Sequence, residues 1–83
     1  MAQPKTNLQR ERIKKGLSQK ELAKASGIAV KSIQNYEQHH RSIDGAKLET
    51  LCDLSIALDC GIDDIIENEK LKIKYKEMRD KRG

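Results

Sequence analysis

Residues 17–37 read LSQKELAKASGIAVKSIQNYE, and this stretch decides the fold because it encodes two short helices separated by a tight turn. Ser18 and Glu21 stand at capping-box spacing, and Leu17 and Leu22 form a hydrophobic staple around that cap. Gly27 then ends the first helix, since glycine enters the left-handed conformation without steric cost. The pattern predicts helices over residues 19–26 and 30–37.

A further helix is predicted before this pair. Thr6 and Gln9 stand at capping-box spacing, and Leu8 and Ile13 are expected on its inner face. Gly16 should end this first helix in the left-handed conformation.

Two more helices are predicted after the pair. Asp44 is expected to cap the fourth helix, with Ile43 and Leu48 as its staple. Small and apolar residues follow at broadly helical spacing: Leu48, Leu51, Cys52, Leu54, Ser55 and Leu58. The fifth helix carries Ile62, Ile65 and Ile66. The core should close near Glu67, which divides the chain into a domain over residues 1–67 and a tail over residues 68–83.

The tail admits three interpretations. Residues 71–76, LKIKYK, alternate with period two, as a strand does. Leu71, Tyr75 and Met78 also fit one helical face, and the surrounding Glu and Lys favour a helix. A helix, an edge strand and disorder therefore remain open.

Charge is unevenly distributed along the 83 residues, whose net charge is +4. Residues 1–43 hold nine Lys/Arg and three Glu, whereas residues 44–67 hold seven acids and one lysine, Lys47. The tail is basic again, with seven Lys/Arg and three acids. A basic N-terminal segment on a small helical domain is typical of a protein that binds a polyanion.

Several function classes find no support. Cys52 and Cys60 form no CxxC pair and lie far in sequence from His39 and His40, so we expect neither a metal site nor a cofactor. Both cysteines suit small buried residues in a reducing cytoplasm. No membrane span, signal peptide or catalytic constellation is recognised, so the expectation is a cytoplasmic, non-enzymatic protein, and no small-molecule ligand is implied.

The helical pair and its surroundings resemble a known family. The matching stretches are LSQKELA at 17–23, Gly27-Ile28, SIQNYE at 32–37, LETL at 48–51 and CGIDDI at 60–65. They resemble the helix-turn-helix of the phage Cro and CI repressors and of bacterial Xre-like regulators, over residues 8–67. The resemblance implies an all-α fold, namely a compact five-helix lambda-repressor-like DNA-binding domain followed by a basic C-terminal tail.

The resemblance also implies roles for individual residues, with the helix over residues 30–37 in the major groove. Gln19 matches a position that clamps a phosphate and braces a base-reading side chain. Base-contacting positions are matched by Val30, Lys31 and Asn35, whose side chains suit a thymine methyl, guanine and adenine respectively. The remaining polar residues are expected at phosphates: Ser18, Ser32, Gln34, Gln38, His40 and Arg41.

Other matched positions concern structure. Arg12 and Glu37 match a buried ion pair between the first helix and the end of the recognition helix. Three residues depart from the family pattern: His39 replaces a glycine, Ala29 replaces a hydroxyl residue, and Gly61 replaces the Ser or Thr that caps the fifth helix.

The expected function is a sequence-specific DNA-binding transcriptional regulator, most often a repressor, of phage, mobile-element or chromosomal origin. A homodimer on a pseudo-palindromic double-stranded operator is expected, because one helix-turn-helix presents little surface for specificity. The apolar residues assigned to the dimer contact are Ile62, Ile65, Ile66, Leu71, Tyr75 and Met78. The alternative is a protein-binding module of the same fold, such as an antitoxin or anti-defence factor.

Overall fold

Helices account for most of the computed structural model, which describes residues 3–82. The helices are α1 (Asn7–Lys14), α2 (Gln19–Ser26), α3 (Val30–Glu37), α4 (Leu48–Leu58), α5 (Ile62–Ile65) and α6 (Glu69–Arg82), with a 3-10 helix at Ile43–Gly45 between α3 and α4. No strand occurs within these described residues. The predicted all-α class is confirmed.

The core gathers one apolar face from each of the first five helices. α2 packs against α3 and α4, while α1 packs against α5. The buried side chains are Leu8, Leu22, Ile33, Tyr36, Ile43, Leu51, Leu54, Leu58, Ile65 and Ile66. Because Leu22 and Ile33 are fully buried in this common core, α2 and α3 are held at a fixed angle.

Local signals set the ends of α2 and α3 as the sequence predicted. The Ser18 Oγ accepts from the Glu21 N–H at 3.0 Å, and the Ser18 N–H donates to the Glu21 carboxylate at 2.8 Å. This backbone hydrogen bond from Ser18 lowers the pKa of Glu21. Gly27 ends α2 with φ +76°, and Ala29 stands at the N-cap position before α3 without a side-chain cap.

Two predictions about α1 need correction. Ile13 is 53% exposed and does not lie on the inner face. Five residues separate it from the buried Leu8, which places the two side chains about 140° apart around a helix. Thr6 does cap α1 by accepting from the Gln9 N–H, but the Gln9 side chain returns to the N–H of Lys5, so the box is only half formed.

The prediction that Asp44 caps α4 is wrong. Asp44 lies in the 3-10 helix, and its carboxylate accepts from the Glu67 N–H at 2.7 Å. α4 begins at Leu48 after Lys47, and no side chain caps it. Leu48 is 61% exposed, so the proposed staple with Ile43 does not form. The Asp44 carboxylate therefore binds a residue that is distant in sequence and does not cap α4.

The tail is helical. α6 packs against α5, with Leu71 and Tyr75 partly buried against the core. An ion pair between Arg79 Nη1 and Asp63 Oδ1, at 2.8 Å, joins the same two helices. A Cβ on Gly61 would press on the side-chain ends of Asp63 and Arg79, so a Ser or Thr at this position would require these two side chains to shift.

The residues assigned to the dimer contact must be revised. Ile65 and Ile66 are fully buried in their own subunit, where they close the core. Ile62, Leu71 and Tyr75 are partly buried against that core. Of the six residues, only Met78 is exposed, at 58%. Most of the apolar surface that was expected to contact a second subunit is therefore buried within the chain itself.

Neither a membrane helix nor a metal-binding cluster is found in residues 3–82. No described helix has the length and apolarity needed to span a bilayer. No three His, Cys, Asp or Glu side chains of the described residues converge as metal ligands would. Burial raises the pKa of the Cys60 thiol to about 11, with a smaller contribution from the Glu11 charge.

Candidate nucleic-acid interface

The outward side of α3 is the first component of the candidate site. Ile33, Tyr36 and Glu37 turn inward and are buried. Lys31 and Asn35 are four residues apart, so they share the opposite side of the helix, where Lys31 is exposed and Asn35 half-buried. Gln38, at the C-cap, is also exposed.

A buried carboxylate holds α3 in place. Glu37 is only 1% exposed and accepts from Arg12 Nε at 2.7 Å and from Arg12 Nη2 at 3.0 Å. Gln19 Nε2 donates to the same carboxylate at 3.1 Å, and Arg12 Nη1 donates to the Leu17 carbonyl at 2.8 Å. The ion pair implied by the resemblance is therefore present, and it ties α3 to both α1 and α2.

Gln19 links this carboxylate to the outer part of α3. Its Oε1 accepts from Gln34 Nε2 at 3.4 Å while its Nε2 binds Glu37. The bracing role assigned to Gln19 thus finds a partner on α3, and that partner is Gln34, a residue assigned to phosphate contact. Val30, Lys31 and Asn35 are not its partners among the described hydrogen bonds.

A groove of about 440 Å³ lies beside α3, between the turn and the start of α4. It is lined by Gly27, Ile28, Ala29, Ser32, Tyr36, Arg41, Gly45, Ala46, Lys47 and Thr50. Ser32 and Arg41 from the sequence-predicted set meet here. The Arg41 guanidinium lies 5.5 Å from the centroid of the Tyr36 ring, a cation–π geometry that orients this cation.

Two helix N-termini also border the groove. Ala29 precedes α3 and Lys47 precedes α4, and neither helix has a side-chain cap. The first backbone N–H groups of an uncapped helix point outward and favour an anion. Sequence reasoning missed Lys47 and Thr50 because it placed the start of α4 at Asp44. The isolated Lys47 in an otherwise acidic segment was the signal that could have found this side of the groove.

Three expected or neighbouring residues lie apart from the groove. Ser18 is exposed, and its hydroxyl oxygen is engaged in capping α2. His40 is exposed, and its N–H donates to the Asn35 carbonyl at 2.9 Å. His39 takes φ +62°, the conformation of the glycine it replaces, and its ring nitrogen lies 3.1 Å from the Lys5 carbonyl oxygen.

Comparison with known proteins agrees with this geometry. A helix-turn-helix family model matches residues 8–65, which include α1 to α5 except for the first residue of α1. Neither the curated proteins nor the solved structures contain a significant match to this chain. The matched residues cover more than half of the chain and contain both the Glu37 network and the groove. The chain belongs to the helix-turn-helix family of DNA-binding proteins, of the Cro/CI and Xre-like type.

Proposed function

We propose that this protein is a sequence-specific transcriptional regulator, in most contexts a repressor, whose α3 reads the major groove of double-stranded DNA. The observation that carries the proposal is the two-sided character of α3. Its inner side is fixed by Ile33, Tyr36 and Glu37, whereas its outer side presents Lys31 and Asn35 on one face. A rigid helix with polar groups directed outward is the element that reads base edges.

The outer side chains offer distinct base chemistry. The Asn35 amide can pair with adenine through two hydrogen bonds, in which its oxygen accepts from N6 and its nitrogen donates to N7. Lys31 can donate to O6 and N7 of guanine, and Val30 can contact a thymine methyl group. These three residues would supply sequence preference.

The groove would bind the phosphate backbone. It combines the cations Arg41 and Lys47 with the uncapped N-termini of α3 and α4, and all four features favour an anion. Contacts of this kind fix the orientation of α3 without reading sequence. Ser18, Gln34, Gln38 and His40 remain predicted phosphate contacts outside the groove.

A homodimer on a pseudo-palindromic operator completes the proposal. Two copies would place their α3 helices about 34 Å apart, one turn of DNA, and would double the sequence that is read. Binding over a promoter would then exclude polymerase, which is a direct route to repression.

Selection of bound sequences from random duplex DNA tests this function directly. Wild-type protein should enrich a two-fold symmetric sequence. Asn35→Ala should then weaken binding to that sequence by about 1–3 kcal/mol and change binding to random DNA much less, because it removes a base contact. Alanine is also the better helix former, so the variant should fold.

Arg41→Ala provides the contrast. It should weaken binding to selected and random duplexes by similar factors and reduce the salt slope by about one unit, because it removes a phosphate contact. Failure to enrich any duplex would contradict the proposal and direct attention to a protein partner. An unchanged ratio of specific to random affinity in Asn35→Ala would refute the role of α3 as reader.

A further inference from the structure

An open apolar groove of about 320 Å³ lies between α4 and α6, away from the Glu37 network. It is lined by Leu48, Ile62, Tyr75, Met78 and Arg79. Leu48 is 61% exposed and Met78 is 58% exposed, so two large apolar side chains that line one groove are both open to solvent. The family fold does not account for this surface, since α6 lies beyond the matched residues 8–65.

Another exposed apolar side chain lies further along α4. Ile56 follows Leu48 by eight residues, which places it about 12 Å further along the helix and about 80° around it. It is 78% exposed. Ile56 therefore lies outside the groove, and the apolar strip is defined here by the two exposed side chains that line it, Leu48 and Met78.

Opposite charges flank the two halves of the strip. On α4, Glu49 follows Leu48 and Asp53 lies one turn further on, within the segment that holds seven acids and a single lysine. On α6, Lys74 and Lys81 lie four residues before and three residues after Met78, so both neighbour it on the helix surface. Each copy therefore carries an acidic flank and a basic flank beside one apolar strip.

We propose that this strip is the contact between two copies of the chain, with α6 of each copy packed on α4 of the other. A two-fold axis pairs a surface with itself, so it would bring the basic flank of one copy to the acidic flank of its partner twice. The inference rests on the proposed function in that it names the surface of the DNA-binding homodimer.

The position of the strip suits binding to DNA. Lys47 lines the groove assigned to the phosphate backbone, and the next residue, Leu48, lines the apolar groove. A dimer joined at the strip would therefore meet close to the DNA-facing side, which leaves α3 of both copies uncovered. A partner of another kind would need its own acidic and basic flanks, whereas a second copy supplies both.

Sedimentation of the full chain tests the contact. Met78→Glu should raise the dimer dissociation constant at least about 30-fold, because it inserts a charge at the centre of the interface. Ile73→Glu is the matched control. Ile73 lies on the same helix, is 59% exposed and stands five residues before Met78, on another side of α6, so this variant should remain dimeric.

Charge reversal tests the pairing of the flanks. Glu49→Lys with Asp53→Lys should weaken the dimer about tenfold or more, and Lys74→Glu with Lys81→Glu should do the same, because each places like charges in opposition. Combining all four substitutions should restore the dimer to within a few-fold of wild type. Absence of this rescue would overturn the proposed pairing.

DNA binding separates failure of this inference from failure of the proposed function. Met78→Glu should still bind a duplex that contains one half of the selected sequence within about threefold of wild type, while it loses tight binding to the full sequence. A wild-type dimer that is broken by Met78→Glu but binds no duplex would support the contact and contradict the function. A wild-type chain that stays monomeric both alone and on DNA would overturn the contact, and so would a dimer broken by Ile73→Glu and not by Met78→Glu.

Discussion

Removing Arg12 should cost this protein a large part of its stability. Arg12→Ala leaves the Glu37 carboxylate, which is 1% exposed, with the amide of Gln19 as its one remaining described side-chain donor. Two charge-assisted hydrogen bonds, at 2.7 and 3.0 Å, disappear along with the bond to the Leu17 carbonyl. The cost of breaking a buried pair by removing one partner is about 3–5 kcal/mol.

The scale of this loss follows from the size of the chain. A protein of 83 residues has a free energy of unfolding of about 4–12 kcal/mol. A loss at the lower bound of about 3 kcal/mol would lower Tm by about 10–25 °C, since 1 kcal/mol corresponds to about 4–8 °C in a domain of this size. Arg12→Ala should therefore unfold far below the wild-type temperature.

Urea denaturation followed by circular dichroism at 222 nm measures the effect. The double variant Arg12→Met with Glu37→Leu should recover most of the lost stability, because it removes both charges and retains apolar volume. Lys24→Ala, on the exposed side of α2, should change stability by less than about 0.5 kcal/mol. A single variant that costs under about 1 kcal/mol, or a double variant no more stable than the single one, would refute the argument that this pair is isolated from water.

Three further predictions concern the helix end, the groove and the thiol. Ala29→Ser should stabilise the protein by about 1 kcal/mol in urea denaturation, because it supplies the missing cap of α3. Tyr36→Leu should weaken DNA binding about two- to fivefold by freeing Arg41 from its ring, whereas Tyr36→Phe should not, as a binding titration would show. At pH 8, iodoacetamide should alkylate Cys60 about 100-fold more slowly in the folded than in the unfolded chain, because a pKa of about 11 leaves little thiolate. The alkylation rate of the folded chain should then rise about tenfold per pH unit up to that pKa.

Each of these has a result that would contradict it. Equal unfolding midpoints for Ala29→Ser and wild type would mean that the backbone at the start of α3 cannot use a hydroxyl cap. Equal losses in Tyr36→Phe and Tyr36→Leu would assign the effect to the tyrosine hydroxyl and not to the ring. A folded-state alkylation rate at Cys60 that is flat between pH 8 and pH 10 would contradict the raised pKa.

Short-range signals allowed much of the fold to be predicted from the sequence. The Ser18–Glu21 capping box and the left-handed Gly27 act within a few residues, and both appear as expected. Asp44 shows where this reasoning fails, because a carboxylate near a predicted helix start was engaged by the N–H of Glu67, 23 residues away. Ile13 was misplaced because hydrophobicity alone was read as burial, although its position around α1 faces away from Leu8.

The candidate site was predictable in part for the same reason. The residues on the outer side of α3 follow from helical periodicity once the helix is bounded. The groove beside it does not, since Lys47 and Thr50 reach it only through the path of the chain after α3. The tail was undecided because LKIKYK satisfies both periods, and the contacts of Leu71 and Tyr75 with the core, together with the Arg79–Asp63 ion pair, select the helix.

Under the proposed function, the anchoring of Glu37 separates the residues that stabilise the fold from the residues that would read DNA. The side chains that hold α3 in place are Ile33, Tyr36 and Glu37, and none of them is among the residues proposed to contact bases. Lys31 and Asn35 can therefore change during evolution at little cost to folding. A new operator would be reached by substitutions on one side of one helix, so a lineage with this scaffold can diversify its targets while the rest of the domain stays the same. The same property makes α3 the natural place to graft a different recognition surface.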